Sequence, residues 1–460
     1  ATPLGTLLCR ATLRGAWRGK PSAAATATRS ARSVAAMAKA FSSAPATEMS
    51  ERLRSVTGGS TGHMDEWRKL LKDAEQPGVV NLTQGYPDFE GSRDARKAAA
   101  EAMLSEETSR LNQYSPLVGL GSLMQSISDM YKRLWDWELS AEKNILVTTS
   151  GTEAISVAFQ TLISPGDEVI LFEPFFPWYA PVAKLAGGEA KLVRLRMEEG
   201  FSISKERLLA QFDRKKTKMI VLNTPHNPTG RVLSQSELEI VHEVASTSEA
   251  GCVVFSDEAY EGQCWASGGH KKIAQEMAKL DRERGASVDV LTMGTASKLC
   301  SLTGWRVGWL LGSEQIISGC KAIHGYGTYC APTVLQHGIG KALDGFSDFS
   351  FDGTSDLMKT NAEKFAQVLR DKGFEVYMPL GGYFVVVDCS AFFPSSMAFC
   401  SALLAECKVA MAPMNMFYGT PSEALAPNER CFVRIAICKT EGLIEEAISR
   451  IKTFDPEKKR

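Results

Sequence analysis

The chain reads as an α/β protein: an open, mostly parallel sheet carrying helices, followed by a smaller α+β domain. Three observations predict this. Short apolar runs rich in Val, Ile and Leu alternate with amphipathic stretches such as 236–248, the texture of strands joined by crossover helices. Polar residues of ligand-holding type fall directly after those runs, as expected for groups gathered at the carboxyl ends of parallel strands. Beyond about residue 331 the alternation gives way to helical stretches and then to the apolar runs 374–378, 381–388 and 431–437. With 460 residues and 44% hydrophobic content, the chain can bury a large core and fill two domains. The boundaries read as an arm at 48–80, a large domain at 81–330 and a small C-terminal domain at 331–460.

Residues 1–47 stand apart. They hold five Arg, two Lys and no acid, and Arg10, Arg14 and Arg18 recur at helical spacing among Leu7, Leu8, Leu13 and Trp17. This is the composition of an organellar transit peptide, with a disordered basic tail as the alternative. A transit peptide would direct the protein to the mitochondrial matrix; plastid and cytoplasm are the other destinations. The remaining residues carry 45 basic against 53 acidic side chains, and a formal net charge of −1 gives no footprint for a nucleic-acid partner. No apolar run reaches about 18 residues, so no membrane-spanning helix is expected. The 11 cysteines form no CxxC pair and have no metal-finger spacing with the six histidines. They read as reduced core cysteines, without a structural zinc.

The elements follow in order. An arm with a short helix around Trp67 ends at Gln76, Pro77 and Gly78, and a short strand from Val79 enters a turn at Gly85, Tyr86 and Pro87. Gly119 and Gly121 precede an amphipathic helix. Residues 144–149 form a strand, and Ser150, Gly151 and Thr152 open a helix. The free N–H groups and positive dipole end of such a helix suit a phosphate, although an ordinary capped helix would look the same. The strand 168–172 leads to an aromatic turn at 173–179, where a ring could stack on a flat heterocycle. The strand 219–223 delivers the loop 224–230, stiffened by Pro225 and Pro228 and ending in Gly230. The strand 252–256 ends in Asp257, a carboxylate costly to bury without a cation or donors, with Tyr260 three residues on. Arg434 stands inside an apolar strand and needs an anion there, from a substrate or from a structural carboxylate.

The most informative stretch is 292–309. An apolar, β-branched run at 286–291 reads as a buried strand. The chain then breaks into Thr295, Ser297 and a single lysine, Lys298, and turns at Gly304 ahead of Arg306. An ammonium among hydroxyls and apolar groups is poorly hydrated. Desolvation lowers its pKa, and a neutral amine condenses with an aldehyde. The nearby hydroxyls and arginine are anion binders, so the aldehyde is one that carries a phosphate. Pyridoxal 5'-phosphate meets both demands.

Residues 292–309 resemble the lysine signature of class I, fold-type I aminotransferases, departing from it at Thr295, where serine is usual, and at Cys300, where a bulkier residue is common. The QGxPDF pattern at 84–89, the NTPHNPTG run at 223–230, Asp257 with Tyr260, and Arg434 fall in the same order. The resemblance spans about 60–455 and is to the kynurenine aminotransferase and cysteine-conjugate β-lyase branch. It implies the pyridoxal-phosphate transferase fold type I, with Lys298 holding the cofactor and Asp257 paired with its ring nitrogen as the catalytic groups. It implies a phosphate held by Ser150, Gly151, Thr152, Thr295 and Arg306, with Tyr114 reaching the phosphate of the neighbouring subunit in a homodimer. Phe176 would stack on the ring, and Asn227 and Tyr260 would meet its phenolic oxygen. On the substrate side it implies Gly85, Asn227, Trp67 (a core role for Trp67 being the alternative) and Arg434, the last as a two-pronged fork on the α-carboxylate.

The implied activity moves the amino group of an L-amino acid, aromatic, kynurenine, glutamine or sulfur-containing, to a 2-oxo acid with ping-pong kinetics. Tyr329 and Cys330 depart from the Phe-His of some kynurenine enzymes, which leaves the side chain open. The other readings are a β-lyase acting on cysteine conjugates and a non-catalytic scaffold on the same fold. A nicotinamide dehydrogenase would share the texture, but no GxGxxG follows a strand.

Overall fold

Thirteen strands organise the chain in the computed structural model, which describes residues 50–459 apart from 58–61, 107–109 and 349–352. The basic segment 1–47 lies outside the described residues. In chain order the strands are β1 (Val80–Asn81), β2 (Ile145–Thr148), β3 (Glu168–Glu173), β4 (Glu189–Arg194), β5 (Thr217–Asn223), β6 (Val253–Asp257), β7 (Val290–Thr295) and β8 (Gly308–Leu311). They continue with β9 (Glu375–Tyr377), β10 (Phe384–Asp388), β11 (Val409–Ala410), β12 (Ala412–Pro413) and β13 (Phe432–Ala436).

The main sheet has seven strands in the order β2-β8-β7-β6-β5-β3-β4, parallel throughout except for β8. Its strands β3, β5 and β6 bury both faces, so their sequences are largely apolar runs. Alternate residues go to opposite layers. Val169, Leu171, Val221, Phe255 and Leu291 pack with Ile155 and Phe159 on one side. Ile170, Phe172, Leu222 and Val254 pack with Leu238, Val241 and Met277 on the other. Each such side chain contributes about 1.5–3 kcal/mol of burial. With both faces covered, the polar residues that matter are confined to the strand ends.

A second sheet, antiparallel in the order β12-β13-β10-β9, follows residue 331 in sequence, and β1 pairs parallel with β11, tying the early chain to the late one. From Arg52 onward the chain forms one unit by contacts. Among the described residues no helix is long and apolar enough to cross a membrane.

Two sequence expectations shift. The strand expected at 286–291 is instead β7, Val290–Thr295, so Thr292, Gly294 and Thr295 belong to the strand and Lys298 follows on the short helix Ala296–Leu299. Small residues are admitted because Trp309 of β8 packs against them: a Cβ on Gly294 would sit 2.2 Å from its Nε1. Strand β4 carries no apolar run that singles it out, and the apolar run of β8 is short and opens on a glycine. β4 is an edge strand with Glu189, Lys191 and Arg194 at its surface, and β8 is a four-residue strand hidden behind the turn at Gly304.

Candidate active site

The carboxyl ends of β5, β6 and β7, with the start of the helix Ser150–Leu162, enclose a cavity of about 170 Å³. β6 ends in Asp257, 4% exposed at the cavity floor. Its carboxylate accepts from the Tyr179 hydroxyl and, at 3.1 Å, from Ala259 N. Burial raises its pKa to about 6 against the pull of those donors. A carboxylate held only by neutral donors is set for a cationic partner, and a protonated ring nitrogen is one. Asn223, at the end of β5, donates to the Asp257 carbonyl at 3.0 Å and accepts from Asn227 N at 2.7 Å, locking the loop after β5 to the floor.

A phosphate cup forms where the helix Ser150–Leu162 meets the turn after β7. Gly151 and Thr152 line it from the helix start, and Thr295, Ser297 and Arg306 from the facing turn. First-turn N–H groups have no partner within the helix and point at whatever fills the cup. Arg306 reaches Thr152 Oγ1 at 3.4 Å and the Thr303 carbonyl at 3.0 Å. β8 must pass very close to this cup: a Cβ on Gly308 would lie 2.7 Å from Gly151 N, so only glycine fits there. Ser150 lies behind the wall, buried, with φ of 82°.

Lys298 enters from the side, and its Nζ donates to the Gly85 carbonyl at 2.7 Å. Burial lowers its pKa to about 8, with Arg434 and Arg306 pushing the same way. Tyr260 and Tyr383 present their rings 5.5 and 4.9 Å from Nζ. Tyr260 is buried beside Asp257 in sequence and lines the cavity, its hydroxyl pKa pushed up by desolvation. Phe176 also lines the cavity, stacked on Trp178 with centroids 5.0 Å apart, whereas Phe175 is a core residue.

Arg434 is the deciding group on the substrate side. It sits on β13, 4% exposed, opposite Val386 of β10. Its Nη1 donates to Asn227 Oδ1 at 2.9 Å and its Nη2 to the Thr83 carbonyl at 2.7 Å, while its Nε is buried without a partner. The rings of Phe384 and Phe417 flank the guanidinium at 3.9 and 4.3 Å. Burial lowers its pKa to about 10. Among the described residues no carboxylate pairs with it, so the structural-carboxylate alternative fails. A buried cation facing only neutral acceptors is ready for a carboxylate brought from outside.

The remaining expected residues are placed as follows. The Gly85 backbone meets Lys298, and a Cβ there would strike the Phe384 ring at 2.4 Å. Tyr114 is 83% exposed, edge-on to Tyr329, and does not line this cavity. Trp67 falls on the helix Gly62–Ala74, and its side chain lies outside the described residues. Tyr179, Asn223 and Tyr383 were not singled out by sequence. Tyr179 left a signal as the last aromatic of the turn 173–179, Asn223 as the first residue of the run 223–230, and Tyr383 lies within the run 381–388.

The family model for aminotransferase class I and II matches residues 77–451. The chain belongs to this aminotransferase family. It is 32% identical over 387 residues to a probable N-succinyldiaminopimelate aminotransferase of Mycobacterium tuberculosis, covering 83% of this chain and 94% of that protein. It is 28% identical to kynurenine–oxoglutarate transaminase 3 of Homo sapiens, over 85% and 88% of the two chains. Among solved structures it resembles a methionine aminotransferase from Escherichia coli, with a TM-score of 0.77, 27% identity, and coverage of 89% of this chain and all of that one. Aminotransferases of this family use pyridoxal phosphate. The residues here fit it: the amine of Lys298 for the aldehyde, Asp257 for the ring nitrogen, and the cup for the phosphate.

Proposed function

We propose that this aminotransferase moves the amino group of an L-amino acid with an aromatic, kynurenine, glutamine or sulfur-containing side chain to a 2-oxo acid by ping-pong kinetics. The observation that carries the reading is Arg434, a buried guanidinium with neutral partners only and two aromatic rings against it. It supplies one carboxylate site beside apolar surface. Arg306, the arginine that lines the cavity, is turned to Thr152 and Thr303 at the phosphate cup rather than toward an acidic side chain. The kynurenine and methionine names among its relatives support the same choice.

Bound pyridoxal phosphate supplies an aldehyde for the amino group and a ring that accepts electrons. The protein does the rest. Arg434 and Asn227 hold the α-carboxylate and fix which Cα bond stands toward Lys298. The Lys298 amine, its pKa lowered by burial, takes the Cα proton. Asp257 keeps the ring nitrogen protonated, and Tyr179 holds Asp257 in place. Phe176 and Ala259 give the cavity an apolar wall. A second 2-oxo acid drives the return half.

The same reading includes a homodimer in which Tyr114 reaches the neighbouring cofactor's phosphate; its exposure supports this. Initial rates over a grid of both substrates test the proposal. Parallel double-reciprocal lines with the named amino acids are expected, and intersecting lines or exclusive use of acidic amino acids would overturn it.

A further inference from the structure

Three backbone carbonyls in the stretch 83–88 are each held by a different cation. Thr83 O accepts from Arg434 Nη2, Gly85 O from Lys298 Nζ and Tyr86 O from Lys439 Nζ, all at 2.7 Å. Lys439 stands five residues after Arg434, on the chain leaving β13, and is 2% exposed. Its ammonium also lies 4.2 Å from the Tyr86 ring centroid. Thr440 ties the next turn, donating from N and Oγ1 to the Asp88 carboxylate at 2.6 and 2.8 Å.

Two of these three tethers belong to groups with other work. Arg434 must share its donors with the α-carboxylate, and Lys298 must exchange a proton at Cα, so neither tether is independent of the reaction. Lys439 touches no reacting group. Among the described residues its ammonium has one hydrogen-bond acceptor, Tyr86 O. The Asp88 carboxylate attracts the ammonium without pairing with it, and burial still lowers the Lys439 pKa, so keeping the charge here is costly. An apolar side chain of similar length would fill the space without that cost. Stability alone therefore does not explain a lysine here.

We propose that Lys439 is a positioning residue for the substrate, holding the strap 83–88 against Phe384 while Arg434 and Lys298 are engaged with the amino acid. The strap then keeps Gly85 close to the Phe384 ring and its carbonyl within reach of Lys298. This rests on the aminotransferase reading and adds a residue that contacts neither substrate nor cofactor.

The test uses the cofactor-loaded enzyme and the variants Lys439→Met, Lys439→Gln and Lys439→Arg. Lys439→Gln is the second neutral variant should Lys439→Met fail to fold. With whichever amino acid the parent enzyme uses fastest, the neutral variants are expected to raise KM about tenfold with kcat within about threefold, because strap order is needed for binding more than for proton transfer. Amide hydrogen exchange in 83–88 is expected to quicken about tenfold, with other segments unchanged. Lys439→Arg should recover most of both, and the absorbance of the lysine-bound cofactor should stay as in the parent. KM and exchange within about twofold of the parent would overturn the proposal. So would equal losses in kcat and KM with arginine no better than methionine, the mark of a merely structural residue. Preference for an acidic amino acid would sink the substrate reading and leave this comparison intact. If the parent transaminates nothing, the exchange measurement alone decides.

Discussion

Arg434 Nη1 meets Asn227 Oδ1 at 2.9 Å, joining a strand of the second sheet to the loop after β5 across 207 residues of sequence. That contact places both members of the carboxylate clamp side by side. Arg434→Lys would keep the charge and lose the planar fork. A cost of about 2–4 kcal/mol is expected, or a fall in kcat/KM of about 30-fold to 1000-fold, carried largely by KM. Steady-state kinetics with a good amino-acid donor measure it.

Asp257 anchors the opposite end of the cavity. Asp257→Asn is nearly isosteric and leaves the fold intact by circular dichroism. It removes the charge that keeps the ring nitrogen protonated, so kcat should fall about 10²- to 10⁴-fold. A loss below about threefold would show that ring protonation has another source.

Tyr179 donates to that carboxylate, and the contact gives a pH prediction. Burial raises Asp257 to about 6, and Tyr179 works against the rise. The useful form is the ionised one, so cofactor affinity of the stripped protein should fall as pH drops through about 6. Tyr179→Phe removes the donor, moves that fall to higher pH and weakens affinity at neutral pH by about fivefold to 30-fold, the worth of about 1–2 kcal/mol. Fluorescence titration at several pH values reads both effects.

Lys298 should behave as a nucleophile above its lowered pKa. In the stripped protein, the rate of aldehyde capture should climb with pH and level off above about 8, where the amine is neutral. An unperturbed lysine would still be climbing at pH 10, since its pKa is about 10.4. Lys298→Ala should show no lysine-linked absorbance and no turnover, with folding retained.

Much of this architecture was legible in sequence because parallel strands buried on both faces are written as apolar runs. β3, β5 and β6 were readable for that reason, and Asp257 was found as the carboxylate ending β6, whereas Asn227, in the loop after β5, came from the resemblance of the run 223–230. β8 was hidden because its apolar run is short and opens on Gly308, and β7 was displaced because Gly294 looks like a strand breaker until Trp309 is seen beside it. Tyr179 and Lys439 escaped for another reason. Their partners, Asp257 and Tyr86, lie 78 and 353 residues away, and no local pattern encodes a contact at that range.

The central claim is that Lys298 and Arg434 together process amino acids of the proposed class. The most direct measurement is an absorption spectrum of the cofactor-loaded protein before and after each member of an amino-acid panel, with no acceptor present. A band between about 360 and 420 nm should bleach toward about 330 nm with phenylalanine, kynurenine, glutamine or methionine, as the cofactor's aldehyde becomes an amine. A band that no amino acid bleaches, or one bleached only by N-succinyldiaminopimelate, would contradict the account.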